Sequence, residues 1–319
     1  MKPHSGPAVV AFGGGHGLAA TLQALRRVTD DITAVVGVSD DGGSSGRLRD
    51  ELGVIPPGDL RMALAALCGD DAWGRTWTRV VQHRFAGEGP LAGHALGNLL
   101  ISALWEETDD VVTGLEWVGS LLGAHGRVLP LALRPLDIVA EVDGLETGTT
   151  VRGQVAVART RGRVAEVRLE PADAVATPAA LHAVQRADAI IMGPGSWYTS
   201  VLPHLMLTDM REAVVHSAAQ RICVLNLAPQ AGETEHFKLH THLDVLHDLA
   251  PDLRLDVVLV DPEVITDPAA LHASATTMGA IIEVAPLAAA PDVPLHSPDL
   301  YAAALRRILP ARGPQHMAG

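Results

Sequence analysis

Residues 8–17 read Ala-Val-Val-Ala-Phe-Gly-Gly-Gly-His-Gly, and residues 32–49 read Ile-Thr-Ala-Val-Val-Gly-Val-Ser-Asp-Asp-Gly-Gly-Ser-Ser-Gly-Arg-Leu-Arg. Each is an apolar run that ends in a glycine-rich turn. The first predicts a strand from Ala8 to Phe12, a turn through Gly13, Gly14, Gly15, His16 and Gly17, and a helix from Leu18 to Val28. The second predicts a buried strand from Ile32 to Val38 with Asp40, Asp41, Gly42, Gly43, Ser44 and Ser45 beyond its carboxyl end. Glycine permits positive φ and close approach of a ligand to the main chain. A helix start adds free N–H groups and the positive end of a dipole, so such turns favour phosphate.

The same rhythm returns late in the chain. Strands are expected at Ala189 to Met192 before Gly193-Pro194-Gly195-Ser196, at Ile222 to Leu227 before a helix start at Gly232-Glu233-Thr234, and at Asp256 to Val260. In an open parallel sheet these turns share one edge, and ligands bind where the strand order reverses. Hydrophobic residues make up 48% of the chain and aromatics only 3%, which suits Ala, Leu, Val and Ile strands covered by helices. The fold class is α/β, a doubly wound, mostly parallel Rossmann-like sheet with helices on both faces. Between them, 128–133, 137–142, 149–158 and 164–169 read as strands, an inserted β-ribbon region at about 128–170. Further helices are expected from an Asp59 N-cap to Leu67, over Gly93 to Trp105, over Val111 to Leu122 and over Asp299 to Leu309, with a loose tail after 310. The 319 residues are read as one nucleotide-binding domain.

Net charge is −13 with no basic run, which argues against a nucleic-acid surface but leaves room for a small anion held by local amides and Arg47, Arg49 or Arg61. No apolar stretch is long enough to span a membrane, and the N-terminus enters the first strand without a signal-type segment, so a cytoplasmic location is expected. Cys68 and Cys223 form no metal or disulfide pattern. His236 and His240 are spaced i, i+4, with His242 and His247 nearby, but no acid completes a zinc motif.

The candidate ligand-binding residues lie on these turns, and each has a plainer reading beside it. Asp40 and Asp41 could take ligand hydroxyls or, with phosphate oxygens, one Mg²⁺ ion; equally, Asp41-Gly42 forms a tight turn. His94 and Asn98 share one side of the Gly93 helix with Gly97 between them, as a ligand patch or as a cap and a solvated residue. Arg61 is within reach of the neighbouring loops. Ser196 and Tyr198 offer hydroxyls, and Ser196 also suits a simple N-cap. Asn226 ends its strand, and Gly232 and Thr234 open the turn that follows. Asp40, Asp41 and Asp59 are the candidates for a catalytic carboxylate. Gly15-x-Gly17-x-x-Ala20 also fits the dinucleotide fingerprint, with Asp40 or Asp41 as the later acid, so an NAD-dependent oxidoreductase stands as an alternative.

Six ordered motifs resemble the gluconeogenesis-factor (YvcK-like) family, relatives of 2-phospho-L-lactate transferase (CofD-like). They are Phe-Gly-Gly-Gly-His-Gly-Leu, Ser-Asp-Asp-Gly-Gly-Ser-Ser-Gly-Arg-Leu-Arg, Pro-Pro-Gly-Asp-Leu-Arg, Gly-His-Ala-Leu-Gly-Asn-Leu-Leu, Met-Gly-Pro-Gly-Ser-Trp-Tyr-Thr-Ser and Gly-Glu-Thr. The resemblance implies a nucleotide-type ligand, in the factor branch a UDP-sugar such as UDP-N-acetylglucosamine, and a link between carbon use, cell-wall synthesis and cell shape. In the transferase branch it implies Mg²⁺-dependent transfer of phospholactate from a nucleotide diester to a deazaflavin. This chain departs from the family pattern at His16, where many relatives carry Thr, and around His296, which Leu295 and Ser297 flank. As a sensor the chain would hold a diphosphate on Gly13 to Gly17 and Gly195 to Ser196, and act through a regulatory protein partner or a homo-oligomer. As an enzyme it would rely on Mg²⁺ and an arginine at phosphorus.

Overall fold

The computed structural model describes residues 6–144, 150–230, 232–291 and 293–311. In chain order the elements are β1 (Val9–Gly13), α1 (Gly15–Leu25), β2 (Ile32–Val36), α2 (Gly43–Leu52), α3 (Gly58–Leu67), α4 (Ala72–Gln82), α5 (Leu96–Thr108), α6 (Val111–Leu122) and β3 (Arg127–Pro130). The middle holds β4 (Asp137–Asp143), β5 (Thr150–Arg152), α7 (Gln154–Ala158), β6 (Arg163–Glu170), α8 (Pro178–Arg186) and β7 (Ala189–Met192). After a π-helical turn at Trp197–Val201 come α9 (Pro203–Met206), α10 (Thr208–Val215), β8 (Gln220–Val224), α11 (Thr241–Leu249), β9 (Val257–Val260), α12 (Pro268–Thr277), β10 (Ile281–Val284) and α13 (Pro298–Ile308).

Seven strands form one sheet in the order β10-β9-β8-β7-β1-β2-β3, and every neighbouring pair is parallel. The chain moves outward from β1 in one direction through β2 and β3, then returns to β1's other side with β7 and continues to β10. The order therefore reverses between β1 and β7, which opens a crevice at the carboxyl ends of those two strands. β1, β7 and β9 are buried along their whole length, as continuous apolar runs covered on both faces must be. Few aromatics enter this core. Phe12 is one, and it stacks on the buried His204 at 4.9 Å, while His204 Nε2 lies 2.9 Å from the Val35 carbonyl.

The inserted region is an antiparallel sheet in the order β5-β4-β6. β3 is not part of it: it stops at Pro130 and forms the edge of the large sheet against β2. The strand expected over 149–158 is also shorter. Residue 149 lies outside the described residues, β5 covers 150–152, and Gly153 at φ +99° turns the chain into α7. Asp41 explains the helix, because its Oδ1 accepts the Val155 N–H at 2.9 Å at the start of α7. Two other boundaries move for similar reasons. α1 starts at Gly15 rather than Leu18, and α5 starts at Leu96 because residues 84–95 form a hairpin closed by an Arg84–Ala95 bridge. The tail beyond 311 lies outside the described residues. Among the described residues no helix is long and apolar enough to cross a membrane.

Candidate functional site

Three helical starts meet the crevice, and the first-turn amides of each lack intrahelical acceptors. At α1 the Gly15 N–H donates to the Asp59 carboxyl. A Cβ on Gly14 would lie 2.4 Å from Asp59 Oδ2, so glycine there lets the carboxyl come in. Asp59, expected to cap its own helix, is instead the second residue of α3, whose N-cap is Pro57. At the π-helical turn the acceptor is Glu233: it takes the Tyr198 N–H at 3.0 Å, the Thr199 hydroxyl at 2.7 Å and the Ser196 hydroxyl. The Gly232-Glu233-Thr234 segment is thus a turn that delivers a carboxylate, and the next helix begins only at Thr241.

α2 differs from the other two. Its N-cap Gly42 makes no side-chain cap and its first turn holds no acid; the Gly42 N–H itself goes to Asp40 Oδ1 at 3.0 Å. Facing this start is a cavity of about 260 Å³ lined by Asp40, Ser44, Ser45, Asp59, Arg61 and Arg84. Arg61 is only 4% exposed, and its Nη1 has no hydrogen-bond partner among the described residues. Burial, opposed by Asp40 and Asp59, pulls its pKa down to about 10, so it stays cationic.

His94 and Asn98 explain how that guanidinium is held. Arg61 Nε donates to Asn98 Oδ1 at 2.8 Å, and Asn98 Nδ2 donates to Ser44 Oγ at 3.0 Å. Ser44 Oγ also accepts the Ala95 N–H at 3.3 Å, so its single proton goes to His94 Nδ1 at 3.0 Å. The chain of donors fixes the Asn98 amide and leaves Arg61 Nη1 buried without a partner among the described residues.

The other expected residues divide between packing and a second cavity. Asp41 Oδ1 holds the start of α7, and the acid that stands with Asp40 is Asp59, which Asp40 influences electrostatically. Asp40 and Asp59 line the small cavity whereas Asp41 is not among its lining residues, and among the described residues no cluster of three metal-ligating side chains occurs. Arg47 is held by the Ala92 carbonyl, and Arg49 by Asp137 and the Leu136 carbonyl, so neither lines the small cavity. Gly13 accepts the Gly37 N–H at 3.0 Å, and Gly193 accepts the Thr21 hydroxyl at 3.3 Å. Asn226 clamps Gly195 by two bonds, 2.8 Å from the Gly195 N–H and 2.9 Å to its carbonyl. Thr234 Oγ1 accepts the Gln230 N–H, and Gly232 packs on the Ala158 carbonyl of the insertion. Tyr198 is buried edge-on against Phe237, and burial together with Glu233 pushes its phenol up to about 12.

The second cavity, of about 520 Å³, lies along the α1 start and the β7 and β8 turns, where His16, Gly17, Gly195, Asn226, Gln230 and His296 line it. His296 Nε2 is buried without a partner among the described residues, and burial pushes its imidazole down to about 4. Glu233 and Arg84 were not legible as site residues from sequence. Glu233 sits in a motif read as a helix start, and Arg84 follows α4, which carries no glycine turn.

Residues 9–284 match the family 2-phospho-L-lactate transferase CofD. The chain belongs to the CofD family. A Listeria monocytogenes gluconeogenesis factor is 37% identical over 264 residues, covering 82% of this chain and 79% of that protein. A Mycobacterium tuberculosis protein that bears the gluconeogenesis-factor name is 48% identical over 304 residues, 93% of this chain and 89% of its own length. A crystal structure of a UPF0052 family protein from Bacillus halodurans superposes with a TM-score of 0.83 at 34% identity, covering 93% of this chain and 97% of that one.

In this CofD-family chain Asp59 carries a stability signature. Burial and the nearby Asp40 push its pKa up to about 7 from 3.8. The native state then holds a proton that the unfolded chain releases, so the stabilisation is complete below about pH 4 and is lost as pH rises toward 7. Asp59→Asn, permanently neutral and able to accept the Gly15 N–H, is expected to be more stable than wild type at pH 8 by on the order of 2 kcal/mol, with the difference gone by pH 4. Thermal melts of both proteins across that range check it; a constant difference would remove the titration.

Proposed function

We propose that this chain is a binding protein for a phosphorylated small molecule, a nucleotide-sugar of the UDP-N-acetylglucosamine type, linking carbon metabolism to cell-wall synthesis and cell shape. One observation carries the reading: the uncapped start of α2 and a buried, cationic Arg61, whose Nη1 has no hydrogen-bond partner among the described residues, line one half-open cavity. A buried charge with a spare donor is costly unless an anion meets it, and phosphate is the anion a helix start and a guanidinium together select. The larger cavity, with Asn226, Gln230 and His296 as polar points, offers the nucleoside a place on the other side of the α1 start. The family name shared by relatives, gluconeogenesis factor, supplies the metabolic context. Binding would act by favouring one conformer or one partner over another.

A transferase-type reading has one observation of its own. Asp59, with a pKa of about 7 and a place on the wall of the small cavity, is suited to accept a proton from an acceptor hydroxyl. Mg²⁺ would supply charge neutralisation at phosphorus there, with Asp40 and phosphate oxygens as its donors.

Thermal melts with UDP-N-acetylglucosamine, GDP and NAD, each with and without Mg²⁺, separate the readings. A ligand at a hundred times its Kd adds about 2.7 kcal/mol. Stabilisation by the UDP-sugar without turnover is the expected result. Mg²⁺-dependent release of a nucleoside monophosphate from a nucleotide diester in the presence of a deazaflavin would replace it with the transferase, and stabilisation by NAD alone would favour an oxidoreductase.

A further inference from the structure

We propose that the exposed face of α4 is a docking surface for an acidic, amphipathic helix of a partner protein. Trp73, Thr76, Val80 and His83 follow one another at helical spacing along that face, with Arg75 and Arg79 beside them. Thr76, Arg79, Val80 and His83 join Leu96, the first residue of α5, around a groove of about 440 Å³. Val80 and Leu96 give the groove apolar surface, and Thr76 and Arg79 give it donors. Upstream stands Trp73, 54% exposed yet held in place: its ring lies 5.6 Å from that of Trp77, and its Nε1 donates to the Leu121 carbonyl at 3.1 Å.

Composition sets this helix apart. The 11 residues of α4 hold two tryptophans and two arginines and no lysine, aspartate or glutamate. Tryptophan and arginine are enriched at protein interfaces, where lysine and the acids are depleted, and the same two residue types supply most of the binding energy.

Charge selects the partner. The chain carries 37 acidic side chains against 24 basic ones, and elsewhere on the surface arginines find carboxylates: Arg26 holds Asp70, Arg127 holds Glu116, Arg163 holds Asp143 and Arg307 holds Glu283. Neither arginine of α4 does so. Arg75 donates to the Asp70 main-chain carbonyl, and among the described residues the exposed Arg79 guanidinium has no hydrogen bond or ion pair. Like charges four residues apart also disfavour their own helix slightly. Carboxylates laid opposite Arg75 and Arg79, with apolar side chains against Trp73, Val80 and Leu96, complete the face in both respects. The net charge of −13 opposes a second copy, and Asp70 and Asp71 at the head of α4 oppose an anionic lipid surface. α4 runs directly into Arg84, which bridges Ala95 and lines the small cavity, so the partner would sit beside the candidate ligand site.

Fluorescence anisotropy tests the proposal, with the full chain titrated into a labelled helical peptide of repeating Glu and Leu and, as control, into its counterpart with Lys for Glu. The acidic peptide is expected to bind and the basic one not. Arg79→Glu should weaken the acidic peptide by roughly tenfold or more and raise the affinity for the basic one, a reversal that unfolding does not produce. Trp73→Ala should weaken the acidic peptide by roughly tenfold as well. Arg163→Glu, which changes the net charge equally but lies in the inserted sheet, should leave its affinity within about twofold of wild type. No binding of the acidic peptide, equal binding of both peptides, or indifference to Arg79→Glu overturns the proposal. So does Arg79-dependent capture by phosphatidylglycerol vesicles without peptide binding, which would give the face to a membrane, or Arg79-dependent self-association in sedimentation, which would give it to a second copy. Arg79 lines neither ligand cavity, so failure here leaves the ligand assignment standing.

Discussion

Arg61→Met is expected to lower affinity for the phosphate-bearing ligand by at least about a hundredfold and to destabilise the empty protein by about 3 kcal/mol. Both effects come from one side chain. Its guanidinium lines the small cavity with Nη1 unpartnered among the described residues, so the variant removes the charge that opposes the ligand's phosphate. Its Nε is the donor to Asn98 Oδ1, and its charge compensates Asp40 and Asp59, so the variant also leaves an amide oxygen unmet and two acids without their cation. Arg84→Ala separates the two effects. Arg84 lines the same cavity from an exposed position, where its Nη1 meets the Gly93 carbonyl at 2.9 Å. Its loss should weaken binding while leaving stability within about 0.5 kcal/mol of wild type, as exposed substitutions do. Isothermal titration with UDP-N-acetylglucosamine and urea unfolding measure the pair. If Arg61→Met bound as tightly as wild type, the cavity at α2 would have no claim on the ligand.

Gly17→Ala is expected to cost about 3 kcal/mol or more, at the upper end for overpacking. The Cβ would stand 2.2 Å from the Pro194 carbonyl oxygen and 2.7 Å from Gly195 Cα. Both obstacles are backbone, and Asn226 fixes Gly195 by two hydrogen bonds, so the opposing turn has no way to yield. The substitution would force the β1 and β7 turns apart at the point where the strand order reverses, and urea unfolding reads the loss. A variant as stable as wild type would show that these turns do not press on each other as closely as their geometry indicates.

This second result bears on what the sequence could disclose. The apolar runs of β1, β2, β7 and β9 are continuous, and the first three run into glycine, so strand identity and the shared carboxyl edge are legible from local pattern. The purpose of each glycine is not. Gly14 is small because a carboxyl from Asp59 approaches it, and Gly17 because the Pro194 turn does. Those partners are distant in sequence and are brought close only by the parallel sheet. For the same reason Asp59 and Glu233 are not recognisable from sequence as the carboxyl partners of two helix starts. Arg47, Arg49 and Arg61 look alike in the chain, yet the first two bond to carbonyls and Asp137, and of the three Arg61 is the one that lines the small cavity. α2 escaped pattern reading because its buried residues are Ser44, Ser45, Gly46 and Leu48, which make no apolar stripe. His94 and Asn98 were visible as a pair of polar residues on one helix, but their task of orienting Arg61 through Ser44 depends on three elements meeting.

A crystal structure of the chain with UDP-N-acetylglucosamine puts the central claim to its most direct test. The account predicts phosphate oxygens within hydrogen-bonding distance of Arg61 Nη1 and of the main-chain amides of Ser44 and Ser45, with the nucleoside along His16, Asn226 and His296. A complex in which the diphosphate lies elsewhere and Arg61 Nη1 still meets no anion would contradict it.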